Sequence, residues 1–339
     1  MFMFELDRGG VAAFHWGRSA MFAAGSGLLA LSLCTAWAIR HRGTDAVRSW
    51  HTPTGRRLRA GPLFARLLGS GDPVIVLLHG LAGSGEYFGA AFDELGRTGT
   101  LVIPDLLGFG ASMRPPGGDP ADYSAAAHLE ALDAMLAALG LANRPLVIVG
   151  HSMGASLGLR WAARQTTTQA VVAFAVPLFA NARQGRARLR ELGTMAALAT
   201  SDGPVARGMC AWMCRYRRTA SWIATALHPE LPVPIARAAV QHTWASYHGS
   251  LTELVLHNGW RDAVVHLAAA GTPLLLANGA ADLMAEPGHA AALVAEFGPS
   301  VTVTTHPTGG HDLPLTQPYW CLAQVQQALR HVPAPPIGG

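Results

Sequence analysis

Short apolar runs rich in Val, Ile and Leu recur along most of the chain, and stretches with helical periodicity separate them. A continuous apolar run of this length is typical of a strand that is buried on both faces of a parallel sheet. Six runs have this character: Val74–Leu78, Thr100–Pro104, Pro145–Val149, Ala170–Val176, Pro273–Ala277 and Val301–Thr305. The pattern predicts a sheet whose strands are mostly parallel.

Helical patterns occupy the intervals between these runs. Ser124 is the expected N-cap of a helix that continues to about Leu139 and buries one apolar face. Further helices are predicted over Met153–Ala163, Gly288–Phe297 and Pro318–Leu329. Strands and helices in alternation indicate the α/β class, with a doubly wound sheet.

The alternation stops between Phe179 and Thr272, where about 90 residues show helical stretches and proline breaks but no strand pattern. A simple crossover between strands is much shorter, so we expect a helical cap, residues 181–262, inserted into a core of residues 46–180 and 263–339. The polar, Arg-rich segment Ser49–Gly71 is predicted to be a surface hairpin leading into the sheet.

Residues 1–45 form a separate unit because residues 19–39 are 21 consecutive uncharged positions. At ~1.5 Å per residue this segment is long enough to span a bilayer core of ~30 Å. As an uncleaved anchor, it has more arginines after it than before it, which places the following domain in the cytoplasm. As a signal peptide, it offers the cleavage site Ala36-Trp37-Ala38, and the domain is exported. A third interpretation is a helix packed on the protein itself.

Composition excludes several other functions. All 25 basic residues are arginine, which reflects a GC-rich genome more simply than a nucleic-acid partner. No basic run is interleaved with stacking aromatics, so we expect no nucleic-acid binding. The four scattered cysteines form no disulfide framework, and the pair Cys210 and Cys214 lacks the second ligand pair of a zinc site. We expect no metal and no cofactor.

The segment Gly150-His151-Ser152-Met153-Gly154 follows an apolar run and opens a helical pattern. The pattern G-x-S-x-G is weak by itself, and the alternative is a helix cap flanked by glycine. In a strand-to-helix turn, however, small residues on either side let strand and helix approach closely, and the serine hydroxyl projects from the carboxyl edge of the sheet. Ser152 is therefore the predicted nucleophile.

A serine nucleophile needs a base and a carboxylate that orients the base. Asp282 and His311 follow the last two predicted strands, so their loops reach the same edge of the sheet as Ser152. His306 is the alternative base, but it ends the strand itself; Glu286 is the alternative acid. Most other histidines, such as His128 and His257, are interpreted as surface or cap residues.

The remaining requirement is an oxyanion hole made of two backbone N–H groups. Met153, directly after the nucleophile, supplies one group. The other is expected from Leu81 in the glycine-rich loop His79–Gly85, because glycines let the backbone approach a substrate closely. His79 is expected to brace this loop rather than to transfer a proton.

These blocks resemble the α/β-hydrolase fold superfamily of serine hydrolases. The segments LLHGLAGSG, PDLLGFGAS, VGHSMGA, LLLANGAAD and GGHDLP match its motifs in order and spacing over roughly Leu58 to His331. By resemblance, Ser152, His311 and Asp282 are nucleophile, base and acid. The dehalogenase and epoxide hydrolase branches are disfavoured because they place Asp where Ser152 stands.

The predicted function is hydrolysis of a carboxylic ester of a small or moderately apolar substrate through an acyl-enzyme. The same triad serves thioesters, lactones, carbon–carbon cleavage or perhydrolysis, which stay open as alternatives. The alternative outside the enzymes is a membrane-tethered binding module that keeps the fold but turns over no substrate.

The predicted cap is rich in arginine, with eight between Arg183 and Arg218 against Glu191 and Asp202, and it also carries Trp and Met. This composition suits a surface that faces a membrane. The alternative is that the Trp and Met residues form the core of the cap and the arginines a solvated face.

Overall fold

The computed structural model describes residues 37, 43–115, 118–191, 203–257, 259–285, 287–330 and 332. Apart from Trp37, the apolar segment 19–39 lies outside the described residues, and so does Glu286. Within the part of the chain that is described, no helix has both the length and the apolar character that crossing a bilayer requires.

Eight strands form one sheet in the order β1-β2-β4-β3-β5-β6-β7-β8. Their bounds are Arg56–Ala60 (β1), Leu63–Leu68 (β2), Val74–Leu78 (β3), Thr100–Asp105 (β4), Leu146–His151 (β5), Thr168–Phe174 (β6), Leu274–Gly279 (β7) and Val301–His306 (β8). The predicted hairpin is confirmed, since β1 and β2 are antiparallel to each other, and β2 is antiparallel to β4. Strands β3 to β8 pair in parallel, and each comes from one of the six predicted runs.

Helices cover both faces of this sheet. In the described residues the α-helices are Asp45–Ser49 (α1), Ala125–Ala138 (α2), Met153–Ala162 (α3), Ala182–Glu191 (α4), Pro204–Arg215 (α5), Arg217–Leu227 (α6), Val233–Ala238 (α7), Trp244–Ser250 (α8), Trp260–Ala269 (α9), Pro287–Phe297 (α10), Leu313–Thr316 (α11) and Pro318–Leu329 (α12). The predicted N-cap is confirmed, because the Ser124 hydroxyl accepts a hydrogen bond from the backbone N–H of Ala127. Helices α4 to α9 all lie between β6 and β7, where the helical insertion was expected; the domain boundaries stay a prediction.

The sheet separates two apolar cores. Successive side chains of a strand point to opposite faces, and β3 shows this directly. Val74, Val76 and Leu78 join the core under α2 and α3, whereas Ile75 and Leu77 join the core under α12. All five residues of β3 are completely buried. Because both faces of the strand are buried, its sequence is a continuous apolar run rather than an alternation of apolar and polar residues.

The structure corrects two details of the sequence interpretation. Strand β6 ends at Phe174, two residues before the end of the predicted run Ala170–Val176, since Ala175 has a φ of 49°, which an extended strand does not accommodate. His128 is not a surface or cap residue but is buried inside α2, where its Nε2 lies 2.9 Å from Ser250 Oγ. Burial lowers the pKa of His128 to about 3, so the ring is neutral. A neutral histidine with a hydroxyl partner is compatible with an apolar face.

Helix α3 lies unusually close to β3 because Gly154 carries no side chain. A Cβ added there would lie 2.3 Å from the carbonyl oxygen of Leu78 and 2.4 Å from that of His79. Gly208, in the exposed helix α5, has nothing within 4 Å of the same position. The two glycines therefore have opposite roles: only Gly154 is required by packing.

We expect Gly154→Ala to lower the free energy of unfolding by about 3 kcal/mol, because a methyl group overlaps fixed backbone atoms. Gly208→Ala should raise the stability by up to about 1 kcal/mol, since alanine is the better helix former. Urea unfolding followed by circular dichroism measures both. Equal stability of the Gly154→Ala and wild-type proteins would show that the helix and strand are not in this close contact.

Candidate active site

The turn between β5 and α3 holds Ser152 in a strained backbone conformation. Its φ of 53° lies in the region that favours glycine, and its ψ is −118°. The backbone N–H of Ser152 donates to the carbonyl oxygen of Phe174 at 2.9 Å, which fixes the turn to the neighbouring strand. Such strain persists only where the surroundings enforce it, and it places the hydroxyl at the carboxyl edge of the sheet.

The structure brings the three predicted triad residues together. His311 Nε2 lies 2.9 Å from Ser152 Oγ, and His311 Nδ1 lies 3.0 Å from Asp282 Oδ2 and 3.1 Å from Oδ1. Asp282 also accepts hydrogen bonds from the backbone N–H groups of Met284 and Ala285, which fix its carboxylate. Since a carboxylate accepts hydrogen bonds, His311 carries its proton on Nδ1 and presents Nε2 to the serine.

The electrostatics of the pair follow from burial and charge together. Burial alone lowers the pKa of His311, but the hydrogen bond and the negative charge of Asp282 outweigh it and raise this pKa above 6.5. Burial likewise raises the pKa of Asp282, yet the hydrogen bond with His311 and its charge bring it below 3.8. The geometry thus favours an imidazolium beside a carboxylate, the pair that forms when His311 accepts a proton.

The loop after β3 lies against the nucleophile. A Cβ added at Gly80 would come within 3.4 Å of Ser152 Cβ, so this loop passes directly beside the serine. Leu81 follows in the same loop, and Met153 is the first residue of α3. The N–H groups of the first helical turn have no partner within the helix, which leaves that of Met153 directed out of the helix end.

His79 and Asp105 brace this loop. His79 is completely buried; its Nδ1 lies 2.7 Å from the Gly80 carbonyl oxygen, and its Nε2 accepts the Leu106 N–H at 2.9 Å. Asp105 accepts the N–H of Gly85 at 2.6 Å and that of Ala111 at 2.7 Å, which ties together the loops after β3 and β4. These contacts agree with the expected bracing role of His79.

The alternative base is not part of the site. His306 ends β8, its ring packs edge-on against Trp320, and its Nδ1 accepts the backbone N–H of Thr308. The alternative acid, Glu286, lies outside the described residues. In those described residues, no group of three His, Cys, Asp or Glu side chains is arranged to hold a metal ion.

Sequence reasoning missed a second network behind His311. The His151 Nε2 lies 2.9 Å from the His311 carbonyl oxygen and 3.3 Å from the Tyr87 hydroxyl, which donates to Asp312 Oδ1 at 2.9 Å. The rings of Tyr87 and His151 stack with their centroids 4.7 Å apart. Burial lowers the pKa of His151 to about 4, so it is a neutral donor that holds the backbone of His311. His151 and Asp312 are adjacent in sequence to Ser152 and His311, and this adjacency could have indicated them. No sequence feature indicated Tyr87.

Residues 75–324 match the family described as the alpha/beta hydrolase family. The chain belongs to that family. Its fold is shared with a bromoperoxidase from Bacillus anthracis, whose structure is 20% identical and covers 81% of this chain and 100% of its own, with a TM-score of 0.61. At this identity the likeness shows the fold alone.

Curated relatives of this alpha/beta hydrolase match over a shorter segment. Lipase 3 of Moraxella sp. is 39% identical over 95 residues, 28% of this chain and 28% of the lipase. A haloalkane dehalogenase of Agrobacterium fabrum is 36% identical over 113 residues, 33% of this chain and 35% of the dehalogenase. The chain thus spans about a third or less of the relatives it matches, and they catalyse different reactions.

We expect Asp282→Asn to lower the pKa of His311, because burial stays and the neighbouring negative charge disappears. In the wild type the pKa of His311 is raised above its ordinary value, so any reaction that needs the neutral ring as a base falls as pH drops through this raised pKa. In the variant this acidic limb moves to lower pH. Histidine-selective isotope labelling and NMR titration measure the shift.

Glu296→Gln is the control for this titration, since Glu296 is an exposed carboxylate paired with Arg261. It should leave the His311 pKa unchanged. An unchanged pKa in Asp282→Asn as well would mean that Asp282 does not set the charge state of His311.

Proposed function

We propose that the chain is a serine hydrolase that cleaves carboxylic esters through an acyl-enzyme. The single observation that carries this proposal is the hydrogen-bonded chain from Ser152 through His311 to Asp282, with the serine in a strained strand-to-helix turn. The contact of 2.9 Å between Oγ and Nε2 lies within the reach that proton transfer requires.

Acylation follows from these contacts. Ser152 Oγ forms a bond to the ester carbonyl carbon while its proton moves to His311 Nε2. The backbone N–H groups of Leu81 and Met153 donate to the oxyanion that develops. When the tetrahedral intermediate collapses, the bond to the alkoxy oxygen breaks and His311 returns the proton to the leaving alcohol. Asp282 keeps Nδ1 protonated and stabilises the imidazolium throughout.

Deacylation repeats the same steps with water as the nucleophile. A water molecule gives one proton to His311 Nε2 as its oxygen bonds to the acyl carbon. The bond to Ser152 Oγ then breaks, His311 protonates that oxygen, and the carboxylic acid leaves. No atom of the enzyme is consumed, so the cycle closes without a cofactor.

The serine favours an acyl substrate over a haloalkane, although a dehalogenase is among the relatives. Displacement of a halide by Ser152 Oγ would leave an ether on the enzyme. An ether has no carbonyl carbon for water to attack, so the second half of the cycle would fail. An acyl-serine ester keeps that carbonyl, and its hydrolysis uses the same oxyanion donors.

We expect the protein to hydrolyse nitrophenyl esters and Ser152→Ala to lower kcat at least about 10³-fold while leaving the fold intact. A series of acyl chains from acetyl to palmitoyl identifies the chain length that is accepted. Circular dichroism and urea unfolding provide the control for folding. A fluorophosphonate probe should label the wild type and not Ser152→Ala.

Other outcomes would change the proposal. Labelling at Ser152 together with turnover of thioesters or lactones alone would keep the triad and change the substrate class. Full activity in Ser152→Ala would exclude the mechanism. Failure of both labelling and turnover in the folded protein would favour a binding module without catalysis.

We also propose that residues 19–39 anchor the hydrolase in a membrane, on the support of their length and lack of charge. We expect the purified protein to keep its full-length mass and to stay in the membrane fraction after alkaline carbonate extraction. A shortened protein that begins after Ala38 and is recovered in the soluble fraction would instead support an exported, cleaved form.

A further inference from the structure

Exposed apolar side chains are concentrated on two neighbouring helices of the insertion, α5 and α6. Eleven large apolar side chains are exposed among the described residues, and six of them lie within the 25 residues 203–227. These six are Val205, Trp212, Tyr216, Trp222, Ile223 and Leu227. We call residues 203–227 the α5–α6 surface. Single exposed apolar residues are ordinary, but a cluster marks an interaction site.

The arrangement on each helix shows that this exposure is not a consequence of frayed packing. Ala206 and Cys210 of α5 are buried, and so are Ala220 and Ala224 of α6. Small residues therefore face the protein, whereas both tryptophans point away, with Trp212 exposed by 42% and Trp222 by 64%. Residues two positions apart on a helix lie on nearly opposite sides. Trp212 is therefore opposite the buried Cys210, and Trp222 is opposite the buried Ala220. On both helices the small side chains are buried and the large apolar side chains face outward.

The charge of the α5–α6 surface has one sign. Its four charged residues are all arginines, and the segment contains neither Asp nor Glu. Arginines also lie over aromatic rings: Arg215 is 5.7 Å from the Tyr216 ring centroid, and Arg237 of the adjacent helix α7 is 4.7 Å from that of Trp222. Aromatic rings beside arginines are suited to the headgroup region of a bilayer, where the rings meet apolar chains and the guanidinium groups meet phosphates.

A cleft of about 450 Å³ opens beside this surface, between α5 and α8. Arg207 and Arg215 line it together with apolar and thiol groups, and the Arg207 guanidinium lies 4.2 Å from the Trp244 ring centroid. A concave site with two cations at its wall is complementary to a phosphate headgroup. The same charges oppose a symmetric contact with a second copy of the chain, which would bring arginines against arginines.

From these observations we infer that the α5–α6 surface docks on an anionic lipid bilayer. The tryptophans and aliphatic side chains enter the headgroup region, and the arginines contact lipid phosphates. Docking does not depend on the hydrolytic chemistry, so it is tested in full-length Ser152→Ala protein, which would leave ester lipids intact. Failure of docking would therefore leave the proposed mechanism untouched.

Hydrogen–deuterium exchange provides a local readout in the full chain. The protein is reconstituted in phosphatidylcholine vesicles with and without phosphatidylglycerol, so that any attachment through residues 19–39 is the same in both. We expect the amides of α5 and α6 to exchange more slowly with phosphatidylglycerol, and the protection to disappear at high salt. Helix α12 should be unaffected.

Matched variants identify the groups responsible. Arg215→Gln and Arg218→Gln should each lower the equilibrium constant for docking on phosphatidylglycerol vesicles about fivefold, measured as the protection of the α5 and α6 amides, because each variant removes the attraction of one arginine to an anionic surface. Trp222→Ser should weaken docking, whereas Tyr319→Ser should not, although the two side chains are similarly exposed, at 64% and 66%.

Three results would overturn the inference. Equal exchange of α5 and α6 with both vesicle types would exclude recognition of anionic lipid. Protection that grows with protein concentration without lipid would indicate a second copy as the partner. Equal effects of Trp222→Ser and Tyr319→Ser would show that the α5–α6 surface is not the part that docks.

Discussion

Ser152 keeps a backbone φ of 53° because strand β5 is fixed by neighbours on both sides while α3 starts immediately after it. A non-glycine residue in this region costs about 1–3 kcal/mol, which the surrounding structure must supply. The compensating stabilisation comes from the buried parallel strands and from the packing of α3 against β3. Gly154 permits this packing, because its missing side chain lets α3 approach the carbonyl groups at the end of β3. Because that turn is fixed, the Ser152 hydroxyl projects from the carboxyl edge of the sheet. The loops that carry Asp282 and His311 begin at the same edge, after β7 and β8.

Three aspartates fix the loops at this edge of the sheet, each by accepting hydrogen bonds with its carboxylate. Asp282 accepts backbone N–H groups from its own turn and also holds the His311 ring. Asp312 accepts the Tyr87 hydroxyl, and Asp105 ties the loops after β3 and β4 through Gly85 and Ala111. Hydrogen bonds to an ionised carboxylate are stronger than those between neutral groups. The candidate site is thus preorganised by hydrogen bonds to carboxylates, from backbone N–H groups to Asp282 and Asp105 and from the Tyr87 hydroxyl to Asp312.

The insertion between β6 and β7 has a different physical character from this rigid edge. Its helices α5 and α6 expose aromatic and aliphatic side chains among arginines, while the sheet buries its apolar residues almost completely. A shared fold fixes where a nucleophile stands but leaves the substrate to local surfaces. In this alpha/beta hydrolase the core carries the candidate chemistry, and the insertion carries the surface that we expect to determine where the protein acts.

Local sequence patterns determined the strands, helix α2 with its Ser124 cap, and the order in which Ser152, Asp282 and His311 reach one edge. These features depend on neighbours within a few residues or on the general rule that parallel strands end together. Only the tertiary structure showed that Tyr87 meets Asp312 across 225 residues of chain, and that His128 is buried with Ser250. It alone showed that Trp212 and Trp222 face outward. Periodicity predicts that a helix has an apolar face, but which face is covered depends on elements that are distant in sequence.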